Sequence, residues 1–341
     1  MRLSEAIKKS GLASFLILAG IVLSLCPFFL NTYGLRILTN IFMFAVITQA
    51  INLIAGHTGY PAFGNVVFFG LGAYGTGIMM VKFQLPFVAS LLLGSILCVF
   101  FTIIFGLPLL RLRGHYFSIA TLGLNEATRA LADNLTDLTG GGMGLSLPLP
   151  PGAIQSNSRF FYFLFLGTLI LSMLFTFLLV KGRFGFALRT IRSNEASAQG
   201  LGINTTRYKI LAWMISALLT GTAGGIYAYW MSYIEPSAVF DMTIAIKAFV
   251  MFLLGGAGTL LGPILGAFFI EGISPFIWSH LLNYHLAILG IIIILVVLFF
   301  PNGFITFFKN RYLLAVPQIK TTALYRREAN SETPNHKSQK V

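Results

Sequence analysis

Long stretches without a charged side chain constrain this sequence more than any other feature. Residues 37–81 contain no Asp, Glu, Lys or Arg, and residues 83–110 and 210–234 are equally free of charge. A helix of about 20 apolar residues crosses a bilayer, and only helices and closed barrels satisfy their backbone polar groups in lipid. Only 10% of the residues are charged, whereas a soluble domain carries roughly a quarter. We therefore predict an all-α polytopic membrane protein.

Polar breaks within the apolar sequence set the number of spans. Residues 37–81 are too long for one helix, and GHTGYP at 56–61 divides them into two. Residues 248–308 are divided at GGAGTLLGP (255–263) and again at the polar patch 279–285, which gives three. Single spans are expected in 10–35, 83–110, 115–132, 160–180 and 210–234. The total is about ten transmembrane helices in a domain that covers residues 1–308.

The basic residues indicate which loops face the cytoplasm. The chain has 23 Lys and Arg residues against 10 Asp and Glu residues, a net charge of +13. With the N-terminus inside, the ten-span threading places most of the basic residues in the cytoplasmic segments 1–9, 111–114, 181–209 and 309–341. We therefore expect a multi-pass protein of a bacterial-type plasma (inner) membrane with both termini in the cytoplasm. Residues 309–341 are predicted to form a basic, disordered cytoplasmic tail, and no nucleic-acid partner is expected.

The longest cytoplasmic loop, 181–209, is predicted to contain a short helix. Ser193 can cap a helix over 194–199, and Gly200 can end it. Glu195 falls in the first turn, where the helix dipole favours an acid. The small side chains of this helix would let the surface of another protein approach closely. The alternative interpretation is a solvated basic loop that contacts membrane lipid headgroups.

The sequence of this loop also resembles a known motif. GRFGFALRTIR followed by EASAQGLGI is similar to the cytoplasmic coupling loop of ATP-binding-cassette (ABC) importer permeases. Six further segments resemble the LivM-type permease of high-affinity branched-chain amino-acid importers. They are NLIAGHTGYPAFGNVVFFGLGAYGTG (52–77), RLRGHYFSIATLGLNEATRAL (111–131), LTGGGMGL (138–145), GTAGGIYAY (221–229), FLLGGAGTLLGPILGA (252–267) and VVLFFPNGF (296–304).

The resemblance implies an ABC importer permease fold (type II-like) and a transport subunit rather than an enzyme. It implies ATP-driven import of leucine, isoleucine or valine. The implied partners are a second related permease, two cytoplasmic ABC ATPases and an extracytoplasmic solute-binding protein. ATP and Mg²⁺ would be used by the ATPases, so no cofactor is expected on this chain. The coupling role would fall to six residues of the loop: Arg189, Arg192, Glu195, Ala196, Gly200 and Gly202.

Two Gly-rich breaks, at 56–64 and 255–263, have similar sequences. Irregular backbone at membrane depth is tolerated only where it is buried in protein or lines a cavity, and broken helices in corresponding places can mark a translocation path. The alternative is a pair of tight turns between packed helical hairpins. The residues expected to shape the path or its cytoplasmic gate are Asn52, Gly56, Gly59, Gly256 and Gly258.

Four charged residues fall within predicted spans: Glu126, Arg129, Lys247 and Glu271. Charges inside a membrane are costly and are therefore functional candidates, although structural ion pairs are the alternative. Glu126 and Arg129 can pair because they are three positions apart on a helix. Glu271 has no partner nearby in the sequence, and it could face the pore or a partner subunit. The five histidines lack metal-ligand spacing, and no hydrolase motif occurs, so neither a metal site nor a catalytic residue is predicted.

Three functions are open at this point. The first is the importer of branched-chain amino acids that the resemblance implies. The second is the same importer architecture for urea or another small solute. The third is a stand-alone, ion-coupled secondary transporter, for which Glu126, Lys247 and Glu271 are the best support.

Overall fold

The computed structural model describes residues 20–280 except 21 and 113, together with residues 290, 291, 294, 298 and 303. This part of the chain is mostly helical. The longer helices are α1 (Thr32–Ile51), α2 (Val66–Val81), α3 (Phe87–Leu109), α4 (His115–Asn134), α6 (Ile154–Lys181), α7 (Arg183–Ser193), α9 (Thr205–Met231), α11 (Met242–Gly255) and α12 (Gly262–His280). The short helices are α5 (Thr136–Thr139), α8 (Glu195–Gly200) and α10 (Pro236–Val239).

Six segments among the described residues are long and apolar enough to cross a membrane. They are Thr32–Gly56, Phe63–Val81, Phe87–Leu109, Ile154–Lys181, Thr205–Met231 and Pro236–Gly255. The charge-free stretch 37–81 divides into two of them, at the break expected from its sequence. Residues 22–29 are also helical, but most of the first predicted span and much of 281–308 lie outside the described residues. The polar helix α4, predicted as a span at 115–132, is not among the six.

The six apolar helices differ in how deeply they lie inside the protein. Within an apolar 18-residue stretch of each segment, 83% of the residues are buried in Thr32–Gly56, whereas only 28% are buried in Phe87–Leu109 and 33% in Ile154–Lys181. An apolar helix with exposed Phe, Ile and Leu side chains along its length is typical of a surface in contact with lipid. We conclude that α1 lies in the interior of the described part of the chain, with α3 and α6 on its outside.

Close helix contacts explain why the apolar segments are rich in glycine. A Cβ added at Gly72 of α2 would overlap the carbonyl of Gly221 on α9, and one added at Gly224 would overlap the carbonyl of Phe69. On α3, a Cβ at Gly94 would lie 2.8 Å from the backbone nitrogen of Thr76. Small residues let helices pack closely in lipid, where no hydrophobic force drives them together. The glycines therefore hold α2, α3 and α9 together.

A short antiparallel pairing joins two loops next to the end of α9. Strand β1 (Leu145–Ser146) pairs with β2 (Tyr233–Ile234), with Leu145 opposite Ile234. The hydroxyl of Tyr233 also donates to the carbonyl of Met143 at 2.9 Å. The glycine-rich loop after α4 is thereby fastened to the end of α9.

Candidate coupling junction

The short helix predicted in the 181–209 loop is present, but its cap differs from the prediction. Helix α8 begins at Glu195, and the side chain of Asn194 accepts a hydrogen bond from the Ser197 nitrogen at 3.0 Å. The prediction that Ser193 caps the helix was wrong, because α7 extends through Ser193, whose hydroxyl donates to the Arg189 carbonyl at 3.1 Å. Asn is as good a cap as Ser, so the sequence did not distinguish them.

Helix α8 has one face turned into the protein and one turned outward. Ala198 is fully buried, whereas Ala196, Ser197 and Gly200 are exposed. A Cβ added at Gly200 would meet nothing within 4 Å. Leu201, which follows the helix, is 72% exposed. The outward face therefore consists mainly of small side chains beside the exposed Gln199 and Leu201, and the chain turns away at Gly202, whose φ of +79° suits glycine.

The side chain of Glu195 points into the protein, where it meets Lys209 and Tyr60. The ammonium of Lys209 donates to Glu195 Oε1 at 2.7 Å and to the Tyr60 hydroxyl at 2.9 Å. The Tyr60 hydroxyl in turn donates to Glu195 Oε2 at 2.5 Å. Lys209 is 3% exposed and the Glu195 side chain 14%. This triad of Glu195, Lys209 and Tyr60 joins α8 to the first turn of α9 and to the break after α1.

The contacts of Glu195 also determine its protonation. Burial by itself would raise the pKa of its carboxyl group, but the hydrogen bonds from Lys209 and Tyr60 and the positive charge of Lys209 outweigh burial and lower this pKa. Glu195 is therefore a carboxylate near neutral pH. Glu195 and Lys209 form a buried ion pair of opposite charges rather than a neutral hydrogen-bonded pair.

The two Gly-rich breaks are far apart in sequence, at 56–64 and 255–263, but they lie against each other. Residues Asn52–Gly56 form a turn of π-helix after α1. The side-chain amide of Asn52 donates to the Thr259 carbonyl at 2.8 Å and accepts from the Gly258 nitrogen at 2.8 Å. A Cβ at Gly56 would overlap Asn52 Oδ1 and would lie 2.8 Å from the Gly258 nitrogen, so only glycine fits at position 56.

The two arginines of the loop contact backbone within this chain. Arg192 donates from Nη1 to the Gly56 carbonyl, and its Cγ would lie 3.3 Å from a Cβ at Gly59. Arg189 donates from Nε to the Gly185 carbonyl at 3.1 Å and from Nη2 to the Val180 carbonyl at 3.4 Å. The resemblance assigns both arginines to the coupling loop, and that role stays a prediction. The structure uses them to hold the loop and to join it to the break at Gly56.

A buried histidine lies beside these arginines. His57 follows the π-helix directly and is 4% exposed. Burial, with the nearby charges of Arg192 and Arg189, lowers the pKa of His57 to about 4. The imidazole is therefore neutral at physiological pH, and it adds no third positive charge to the junction.

The predicted site residues thus fall into three places. Of the five expected path residues, Gly56, Gly59, Gly256 and Gly258 lie in the two breaks that meet, and Asn52 lies just before the first break. Arg192 connects this region to the loop. Glu126 and Arg129 pair at 3.9 Å on α4, with side chains 51% and 37% exposed. Lys247 and Glu271 lie on α11 and α12. Sequence reasoning missed Tyr60 and Lys209, and the signal was a single lysine at the start of an otherwise apolar helix.

Comparison with known proteins agrees with this architecture. Residues 33–297 match the family described as branched-chain amino acid transport system / permease component. The high-affinity branched-chain amino acid transport system permease protein LivM of Salmonella typhimurium is 29% identical over 86% of this chain and 75% of its own length. LivM of Escherichia coli is 28% identical over 81% of this chain and 71% of its own length.

A third relative matches over a shorter region. The autoinducer 2 import system permease protein LsrC of Klebsiella pneumoniae is 35% identical over 32% of this chain and 33% of its own length. No solved structure matches the chain. The match to the family covers most of the sequence, and the apolar helices make the chain a multi-pass membrane protein. The protein belongs to the family of branched-chain amino-acid transport permeases.

Proposed function

We propose that this chain is the membrane-spanning subunit of an ATP-driven importer for leucine, isoleucine and valine. It would receive its substrate from an extracytoplasmic solute-binding protein and would work with a second related permease and two cytoplasmic ATPases. ATP and Mg²⁺ would be used by the ATPases alone. The family match and the names of the two LivM relatives support the substrate class and a transport role rather than a catalytic one.

We further propose a ten-span topology with both termini in the cytoplasm, in which residues 1–308 form the permease domain and 309–341 a cytoplasmic tail. The distribution of Lys and Arg supports this orientation. In this proposed orientation, the 181–209 loop and both Gly-rich breaks lie on the cytoplasmic side, where an ATPase would bind.

The observation that carries the proposal is the construction of α8. Its outward face is small and open, so that another protein can approach it, while Glu195 on its inward face is tied to Lys209 and Tyr60. A force applied to α8 is therefore passed to the first turn of α9 and to the break after α1. Free solvated loops lack such a buried ion pair.

The joined breaks supply an element that this force could move. Asn52 and Gly258 hold the ends of α1 and α11 together, and Arg192 connects them to the coupling loop. In our mechanism, closure of the ATPases shifts α8 and the two breaks, which opens or closes the cytoplasmic end of the path. Gly59 and Gly258, whose φ angles are +77° and +80°, allow the chain to turn there.

Two other functions differ from this proposal in cargo or energy source. The LsrC relative is named for a different solute, so an importer of the same architecture with another cargo is the first alternative. A stand-alone, ion-coupled carrier is the second. The triad and the small outward face of α8 favour the ATP-driven mechanism, because a stand-alone carrier has no ATPase to dock there.

Uptake of radiolabelled leucine separates these functions. In cells from which the gene for this chain has been deleted, we expect leucine uptake to fall and to be restored by the chain. Depletion of ATP with the ion gradients left intact should abolish the restored uptake. Uptake that survives ATP depletion would support the stand-alone carrier. ATP-dependent uptake of urea or another solute in place of leucine would support the same importer with a different cargo.

A further inference from the structure

A second polar cluster lies at the other end of α1 from the coupling junction. Arg36 and Asn40 lie near the start of this helix, whereas Asn52 follows its end. At 1.5 Å per residue, Arg36 and Asn52 are about 24 Å apart along the helix axis. A cavity of about 290 Å³ is present there between α1, the end of α9 and α12. The residues that line it and matter here are Arg36, Ile37, Asn40, Trp230, Met231 and Glu271.

Glu271 contributes a buried carboxylate with one unused oxygen. Glu271 is 5% exposed, and Asn40 donates a hydrogen bond from Nδ2 to Glu271 Oε1. In the part of the chain that the structure describes, Oε2 has no hydrogen-bond partner. A buried acceptor without a donor is costly, and a carboxylate oxygen is best satisfied by a cationic donor. Glu271 lines the cavity, so this buried oxygen offers a ligand ammonium an acceptor at the cavity wall.

Arg36 contributes a positive charge to the same cavity. It lies one turn before Asn40 on the same face of α1, and its guanidinium is 6.0 Å from the centre of the Trp230 ring. Among the described residues it forms no ion pair. The guanidinium fork matches the geometry of a carboxylate. Lys247, which interacts electrostatically with Glu271, lies 5.6 Å from the ring of Phe44, one turn further along α1 than Asn40.

The remaining lining residues are mainly apolar, and they include Ile37, Trp230 and Met231. A small-ligand pocket typically has such an apolar lining with a few polar groups that fix the orientation of the ligand. Here the charged groups in the lining are the carboxyl group of Glu271, which is held by Asn40, and the guanidinium of Arg36. We propose that the cavity binds an apolar amino acid as its zwitterion, with the ligand ammonium at Glu271, its carboxylate at Arg36 and its side chain against the apolar lining.

This site deepens the proposed function, on which its choice of ligand rests. In the proposed topology the cavity lies at the outer end of the helices, where a solute-binding protein would release its cargo. A ligand that carries both charges would pair Glu271 and Arg36 at once. A solute with only one charge would contact only one of these two residues.

The test is a comparison of three ligands on the full-length chain in lipid nanodiscs, without a solute-binding protein. The ligands are leucine, isoamylamine, which lacks the carboxylate, and 4-methylpentanoate, which lacks the ammonium. We expect leucine to bind at least about tenfold more tightly than either analogue, because each lost charge-assisted contact costs at least about that factor. Equal affinity for the three ligands, or no binding of leucine, would overturn the site.

Two substitutions assign the contacts. Glu271→Gln should weaken the binding of leucine at least about tenfold and leave the affinity for 4-methylpentanoate almost unchanged. Arg36→Gln should weaken the binding of leucine and leave the affinity for isoamylamine almost unchanged. Lys82→Gln removes an exposed cation outside the cavity and is the control. If the two residues only support the structure, each substitution should lower the affinity for all three ligands equally, and that result would contradict the proposal. If Glu271→Gln fails to fold, the three-ligand comparison on the unsubstituted chain decides.

The result separates the site from the proposed function. Leucine uptake that depends on ATP, combined with no preference for the zwitterion, would refute the site and leave the importer standing. If both substitutions lower leucine binding as expected but uptake does not need ATP, the site would be supported and the ATP-driven importer refuted.

Discussion

At the scale of single residues, Lys209 has the largest part in holding α8 in place. It is almost fully buried in the first turns of an apolar helix, and it contacts Glu195, Tyr60 and the Leu110 carbonyl. A buried ammonium is tolerated only where it is paired and hydrogen-bonded. The same three contacts also fix the direction in which α8 presents its open face.

Replacement of Lys209 by Met should therefore destabilise the protein strongly. The substitution leaves the mostly buried carboxylate of Glu195 without its counter-charge, which typically costs about 3–5 kcal/mol. Arg129→Met is the matched control, because it breaks a more exposed pair worth about 0–1 kcal/mol. Thermal unfolding in detergent measures both. Equal unfolding temperatures for the two variants would show that the triad does not hold the junction.

The buried histidine makes a prediction about pH. His57 takes up a proton at its ordinary pKa of 6.5 when the chain is unfolded, but only near pH 4 when it is folded. The unfolded chain therefore binds more protons between these values, so stability should fall as pH is lowered from about 6.5 towards 4, by up to about 1.4 kcal/mol per pH unit. Below pH 4 the loss from this residue should level off.

The measurement compares the pH dependence of unfolding for the unsubstituted chain and His57→Gln. The variant should lose less stability across this interval, because it has no imidazole to protonate. His115→Gln, at an exposed histidine, is the control. Parallel curves for the unsubstituted chain and His57→Gln would refute the low pKa.

The roles of single residues were the hardest part to predict from sequence. Glu195 was correctly placed in the short helix, but its inward direction was not foreseen, because Tyr60 is 135 residues away in sequence and nothing in the loop sequence shows that Lys209 turns towards it. The backbone contacts of Arg189 and Arg192 within this chain were not foreseen either, and their role towards a partner stays a prediction. Such pairings depend on which helices lie side by side, and hydropathy and charge do not contain that information.

At the scale of elements, the contact between the two Gly-rich breaks organises the proposed cytoplasmic end. The sequence predicted where both breaks occur, because Gly-rich polar segments interrupt long apolar runs. It did not reveal that Asn52 would bridge them through Gly258 and Thr259. Nor did it separate Asn194 from Ser193 as the cap of α8, since both residue types suit that position.

Gly56→Ala tests whether this contact matters. The added Cβ would overlap Asn52 Oδ1, so Asn52 must move away from its hydrogen-bond partners in the second break. Such overpacking typically lowers the stability of the folded state by about 1–3 kcal/mol. We expect leucine uptake to fall while the chain still reaches the membrane. Gly123→Ala on α4, where a Cβ meets nothing within 4 Å, is the control and should be neutral. Unchanged uptake with Gly56→Ala would mean that the breaks are simple turns.

At the scale of the whole molecule, the two clusters lie near opposite ends of α1. The coupling junction lies at the end that is proposed to face the cytoplasm, and the charged cavity lies at the other end. Helix α1 lies in one of the two most deeply buried apolar segments, which suits an element that connects the two clusters. Composition and the charge-free stretches predicted the membrane class, and the ordered motifs predicted the family.

The central claim is that an ATPase docks on the outward face of α8, and one measurement tests it most directly. The chain is purified from membranes with its co-expressed ATPases, as the unsubstituted protein and as Gly200→Leu, and the amount of bound ATPase is determined. Glu195 is left unchanged, because its substitution would also break the triad. Gly123→Leu is the matched control, since a Cβ at position 123 or 200 meets nothing within 4 Å.

We predict that Gly200→Leu loses the ATPase and ATP-dependent leucine uptake, while the folded membrane domain and its unfolding temperature stay unchanged. Gly123→Leu should keep both ATPase and uptake. If Gly200→Leu retains the ATPase and full uptake, the face of α8 is not the docking surface and the coupling mechanism is wrong.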